Sequence, residues 1–352
     1  MKIIDTIKVV RQKLHSMPEH SSKEIETKKF IREFLEKHTD LDVQEYNGGI
    51  LALYDCGYRQ NMIAFRADFD AVALPDGTAA HLCGHDGHTA ALLGVALTLE
   101  RLKPERNVLL IFQPAEETGE GAKAMADLLN EYPVTEVYGA HNLPGLEFGK
   151  VYTRLDTFAC ASCGMTFTII GRPAHAAYPE YGTSPMQAAA ALFKAIEDSQ
   201  NGNKFDEGTF ATLIGCNIGQ KAFGTAAEKA EIWITVRART DNSFARIKEY
   251  LEYVVKTACE TDYLSYSIEI QDDFPATVND KACAQNVIEK CNGELLQEPM
   301  RWSEDFGHFL NKGIPGSFFG VGAGNCAALH TKDYEYPDDL LEHQLNAFIK
   351  LL

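Results

Sequence analysis

Apolar residues at Ile4, Ile7, Val10 and Leu14 recur at helical spacing and predict an opening helix. A second helix follows, with Ile25, Phe30, Ile31, Phe34 and Leu35 as its apolar stripe. Ser21 or Ser22 is expected to cap it, with Glu24 close enough for a capping box. Asn47-Gly48-Gly49 signals a turn between two hairpin strands, 43–46 and 50–54. Short apolar strands are expected at 61–66 and 136–140. The unbroken apolar run 107–112 predicts a parallel strand covered on both faces. Between them, 89–102 reads as a buried helix and 120–129 as a further one. Strands alternating with helices argue an α/β domain with a mostly parallel sheet flanked by helices.

The pattern changes in the middle of the chain. A strand at 165–170 precedes a helix at 186–199, opened by Ser184-Pro185. Strands at 209–218 and 229–239, a helix at 243–261 and a strand at 264–271 complete a β-α-β-β-α-β order, that of a small α+β domain. The helix–strand–helix pattern then resumes after Phe274-Pro275. The expected organisation is a discontinuous domain, 1–160 and 275–352, interrupted by an inserted domain, 161–274. A length of 352 residues agrees with about two domains.

Composition narrows the function. Lys plus Arg number 33 against 50 for Asp plus Glu, a formal charge of −17, and no basic run offsets it, which argues against nucleic acid as a partner. No apolar stretch is long enough to span a membrane. The N-terminus, Met1-Lys2-Ile3-Ile4-Asp5, has neither the apolar core nor the cleavage site of a signal peptide. The nine cysteines are scattered and odd in number, which fits a reducing cytoplasm better than a disulfide scaffold.

Four stretches carry chemistry. His81-Leu82-Cys83-Gly84-His85-Asp86-Gly87-His88 concentrates imidazoles, a thiol and a carboxylate immediately before a helix. Gln113-Pro114-Ala115-Glu116-Glu117 follows a buried strand, where ligand sites gather in α/β sheets. Adjacent carboxylates there can divide roles between metal binding and general base, or can simply complement a helix dipole. His141 and His330 each sit in a further short segment, and each alone reads more readily as structural than as a ligand. Together these donors indicate a metal-dependent hydrolase, with two metals suggested by their number.

The stretches resemble the dimetal amidohydrolase and metallopeptidase family that includes hippurate hydrolase, the auxin-conjugate hydrolases, N-acetyldiaminopimelate deacetylase and aminoacylase. The resemblance runs from Arg66-Ala67-Asp68-Phe69-Asp70 through the Cys83 and Glu116 motifs, Gly139-Ala140-His141-Asn142 and Gly171-Arg172-Pro173-Ala174-His175. It ends at Ser303-Glu304-Asp305-Phe306 and Leu329-His330. It implies metal ligands at Cys83, His85, Glu117, His141 and His330, holding two divalent ions. Zn suits a thiolate among imidazoles and carboxylates, and Mn, Co and Ni remain open. It implies Glu116 as general base, and the inserted domain as a lid and dimerisation module. His175 in that lid would donate to an oxyanion across a homodimer interface, with a loop-surface histidine as the alternative. Asp70 and Asp86 are candidates to orient a ligating imidazole, or are turn acids. Arg237 is a candidate for a substrate carboxylate, or is a surface residue. Cys160 and Cys163 read as core thiols.

The implied reaction is cleavage of an N-acyl amino acid, of N-acetyl or N-benzoyl type, to a carboxylate and a free amino acid. The alternatives are a dipeptidase or carboxypeptidase with the same metal site, and a binding protein that does not catalyse. Three departures bear on the substrate. Residues 71–82 form a shorter segment than the family usually has, and 222–227 lacks the family's usual Asn and Pro. Gly171-Arg172-Pro173 replaces a more glycine-rich run.

Overall fold

The computed structural model describes residues 2–57, 61–201 and 204–352. Met1, the head of the segment read above as no signal peptide, lies outside them. The chain divides into two compact units. One runs to Phe158 and resumes over Thr277–Met300 and Glu304–Leu352, and the other holds Ala159–Ala276 with Arg301–Ser303.

The first unit is a mixed α/β domain. Among the described residues its sheet has eight strands. Four lie side by side and parallel: Asn107–Gln113, Met62–Asp68, Val134–Leu143 and Gly316–Gly322. The hairpin Asp42–Tyr46 and Gly49–Tyr54 closes one edge antiparallel, and Val151–Thr153 with Glu294–Leu295 forms the other. Side chains alternate across a strand. Ile63, Phe65, Ala67, Val108, Leu110 and Phe112 therefore join the main core, shared with helices Ile3–His15, Ile25–His38, His85–Leu102, Lys281–Cys291 and Leu340–Leu351. Arg66 falls on the opposite face. There Phe306 contacts Phe309 and Phe318, with ring centroids 5.6 and 5.0 Å apart.

The second unit carries a four-stranded antiparallel sheet, in the order Phe210–Ile218, Lys229–Ala238, Ala161–Ile170, Ser265–Phe274. Helices Met186–Gln200 and Asp241–Asp262 cover it around Phe167, Leu192, Ile232, Ile234, Ile247 and Leu251. The Thr240 hydroxyl caps the longer helix by accepting from the Ser243 N–H at 3.2 Å.

Several local expectations shift. The strand at 136–140 extends over Val134–Leu143, so His141 and Asn142 lie on it. The helix expected at 89 begins at His85, because Gly84 takes φ +101°, open only to glycine at little cost, and turns the chain into it. The helix expected at 120–129 is two short ones, Gly121–Met125 and Leu128–Glu131. Ser21 and Ser22 do not cap the second helix. The Glu19 carboxylate does, accepting from the N–H groups of Ile25, Glu26 and Thr27 at 3.2, 3.2 and 2.8 Å. Ser22 is instead bent to φ +65°, and Ser21 donates to Asp70 at 2.7 Å. A carboxylate reaching back from outside the helix leaves no capping-box spacing to read.

Glu19→Ala strips three first-turn N–H groups of their acceptor. It is expected to lower stability by about 1–2 kcal/mol and the apparent Tm by about 2–4 °C, read by differential scanning calorimetry.

Candidate metal centre

Three central strands end at Asp68, Gln113 and Leu143, and the candidate residues gather at those carboxyl ends. Two triads of donor atoms form there, Cys83–His85–His141 and Cys83–Glu117–His330, with all atoms of each triad within 4.8 Å of one another. The two triads share the Cys83 sulfur. Cys83 Sγ lies 3.4 Å from His141 Nε2, and Glu117 Oε1 lies 3.4 Å from His330 Nε2 and 3.8 Å from His85 Nε2.

The imidazoles are pointed by their other nitrogens. His85 Nδ1 donates to Asp70, to its carboxylate at 3.0 Å and its carbonyl at 3.1 Å. His141 Nδ1 donates to the Asn142 carbonyl at 2.7 Å. In each ring that leaves the Nε2 lone pair facing the cluster. His330 reaches the cluster from a residue at φ +60°, anchored by its N–H to the Leu82 carbonyl at 2.8 Å. Asp70 also accepts from the Glu117 N–H at 3.0 Å, so one carboxylate orients both an imidazole and the neighbouring loop.

A divalent cation fits this set. His85 Nε2 and Glu117 Oε1 are buried and lack hydrogen-bond partners, an arrangement costly without an ion. Burial and then the Glu117 charge push the Cys83 thiol up, so becoming a thiolate requires a compensating cation.

Glu116 stands beside the triads. Its Oε2 is 3.8 Å from His85 Nε2, and its Oε1 accepts from the Asp305 N–H at 3.4 Å. Burial first, then the charges of Glu304, Asp305 and Glu117, push its carboxyl well above the usual range. Below it lies Arg66, 1% exposed. Its Nη1 donates to Asp68 at 2.9 Å, its Nη2 to Asp305 at 2.7 Å and to Glu304 at 2.9 Å, and its Nε to Gln113 at 2.7 Å. Burial would raise the Asp68 carboxyl, but His85, His88 and Arg66 outweigh it and hold the group well below its usual value. His88 links Asp68 at 2.6 Å to Asn142 at 2.6 Å, and Asn142 donates to the Tyr334 hydroxyl at 2.7 Å.

Asp86 does not touch these imidazoles. It accepts from His15 Nδ1 at 2.7 Å and Arg11 at 3.4 Å, tying the first helix to the helix it starts. Arg66, Asp68, His88, Gln113, Glu304 and Asp305 were not singled out as site residues. The signals were present: Asp68 and Asp70 alternate at a strand end, and His85 and His88 are three apart on a helix.

In the second unit, His175 is exposed in a loop bridged to Thr225. Its Nδ1 accepts from the Ala177 N–H at 3.1 Å, so a neutral ring carries its proton on Nε2. Arg237, on strand Lys229–Ala238, donates to the Arg301 carbonyl at 2.7 Å and to Ser303 Oγ at 3.3 Å, both uncharged oxygens. Cys160 and Cys163 are buried, and neither forms a disulfide.

The family model described as "Peptidase family M20/M25/M40" matches residues 64–352. N-acetyldiaminopimelate deacetylase of Enterococcus faecalis is 30% identical, over 94% of this chain and 93% of its own. Hippurate hydrolase of Campylobacter jejuni is 29% identical, over 97% and 94%. A solved structure from methicillin-resistant Staphylococcus aureus superposes with a TM-score of 0.87 at 28% identity, over 99% and 97%.

Arg66→Met leaves Asp68, Glu304 and Asp305 buried without their cation. The expected loss is about 3–5 kcal/mol in urea denaturation. The variant should recover stability as pH falls, since burial already raises the Glu304 and Asp305 carboxyls. A buried carboxyl with a raised pKa binds its proton more tightly folded than unfolded, so the penalty exists above the unfolded pKa and fades below the folded one.

Proposed function

The chain belongs to peptidase family M20/M25/M40 and is a metal-dependent hydrolase of amide bonds, and we propose that it cleaves an N-acyl amino acid of the N-acetyl or N-benzoyl type to a carboxylate and a free amino acid. The carrying observation is the pair of donor triads sharing Cys83, with the Glu116 carboxyl beside them. The names of the E. faecalis and C. jejuni relatives support that substrate class.

Cys83, His85, Glu117, His141 and His330 would hold two divalent ions. Zn fits a thiolate among imidazoles, and Mn, Co and Ni accept the same donors. Bound there, such ions polarise an acyl carbonyl and acidify a water. Glu116 takes the proton from the attacking water and hands it to the departing nitrogen. A carboxyl raised by burial and by neighbouring acids suits the first step, since it takes up a proton more readily than an ordinary carboxylate does. Asp70 keeps His85 in one tautomer. His175, with its proton on Nε2, would donate to the oxyanion, a contribution worth roughly 3 kcal/mol in comparable sites. Arg237, held by neutral oxygens alone, has charge to spare for the α-carboxylate of the substrate.

The chain acts as a homodimer in this reading. Edge strand Phe210–Ile218 exposes Leu213 and Ile214, 42% and 63%, a liability that pairing with a second copy would remove. No disulfide joins any of the nine cysteines, and no described helix is long and apolar enough to cross a membrane. The unpaired thiols support a cytoplasmic location.

Chelator-stripped protein, given back Mn²⁺ or Zn²⁺, is expected to release free amine from at least one of a panel of N-acetyl and N-benzoyl amino acids. Cleavage of dipeptides alone would replace this reading with a peptidase, and silence across the panel would refute it. Glu116→Ala should keep the metal content and lose about 10²–10⁴-fold in kcat. A variant with near-normal turnover would remove Glu116 from its role.

A further inference from the structure

The loop after strand Asn107–Gln113 carries both Glu116 and Glu117, and carboxylates from three other segments grip its backbone. Asp305 accepts from the Ala122 N–H at 2.8 Å and Asp70 from the Glu117 N–H at 3.0 Å. The third is Glu24, whose Oε1 accepts from the Ala115 N–H at 2.8 Å. Glu24 lies just ahead of helix Ile25–His38, is 6% exposed, and has no place in the chemistry described so far.

Ala115 is the pivot of that loop. It is 3% exposed and sits at φ +53°, where the Cβ of an alanine crowds its own carbonyl. Its carbonyl accepts from the Gly121 N–H at 3.0 Å, which closes the loop. Without an acceptor, the buried Ala115 N–H is orphaned at the residue whose strained turn sends the chain into Glu116.

We propose that Glu24 is a positioning residue: through the Ala115 N–H it fixes the left-handed turn that aims Glu116 and Glu117 at their sites. This rests on the reading of Glu116 as base and Glu117 as ligand. The required property is an oxygen at the right reach rather than a charge. Burial, then the neighbouring Asp70 charge, push the Glu24 carboxyl up to about 7, and either protonation state keeps an oxygen for Ala115. The amide of Glu24→Gln supplies that oxygen. The shorter carboxylate of Glu24→Asp keeps the charge and loses the reach.

The test combines steady-state kinetics of the metal-reconstituted full chain, on whichever panel substrate it cleaves, with amide hydrogen exchange of the peptide covering 113–121. Glu24→Ala and Glu24→Asp are expected to lose about 10–100-fold in kcat with KM within about threefold, and to exchange faster across 113–121. Glu24→Gln is expected to stay within about threefold of wild type in kcat and to keep slow exchange. If Glu24→Ala does not fold, the Asp and Gln variants carry the same comparison. Wild-type kcat and exchange in Glu24→Asp, or a Gln variant as impaired as the Asp one, overturns the proposal. Exchange reads the contact without turnover, so a wild type inactive on every substrate defeats the functional reading and leaves this one decided by exchange alone.

Discussion

A guanidinium shut away from water must be met by acceptors on every side, and Arg66 is met by Asp68, Glu304, Asp305 and the Gln113 amide. The sheet, the loops and the candidate chemistry are arranged around that requirement. Three carboxylates to one cation leaves surplus negative charge in a medium that solvates it poorly. Protons on raised carboxyls balance part of it, and cations at the adjoining triads would balance more. The same surplus raises Glu116, so the stability of the floor and the basicity of the group above it have one origin.

The division of labour among carboxylates follows from what each faces. Asp68 sits between a guanidinium and two imidazoles and stays ionised. Asp70 accepts from an imidazole, a hydroxyl and a backbone N–H, and so acts as a bracket. Glu116 faces mostly other acids, which with burial raise its carboxyl. Glu117 offers a buried oxygen with no hydrogen-bond partner, as a metal ligand would.

The sequence was legible wherever period or density carries information. The apolar run 107–112 announced a covered parallel strand, and the β-α-β-β-α-β order announced the small second sheet. The crowding of His81 to His88 announced donors, and the resemblance named the remaining ones. It was less legible where function depends on direction. Nothing local says that Asp86 turns toward Arg11 and His15 while Asp70, fifteen positions before His85, reaches its ring. Arg66 hides inside an apolar strand because alternation alone decides which face it takes. Glu19 and Glu24 act on backbone N–H groups rather than side chains, and such contacts leave no pairing of residue types to notice.

The anchoring of His330 to Leu82 has a consequence for how the protein is made. The donors nearest the N-terminus leave the ribosome early, and the whole second unit must follow before His330 can arrive. Until then Cys83 is a thiol in an unfinished cavity, open to oxidation and able to hold at most one of its two triads. The triad that includes His330 can therefore close only late in synthesis.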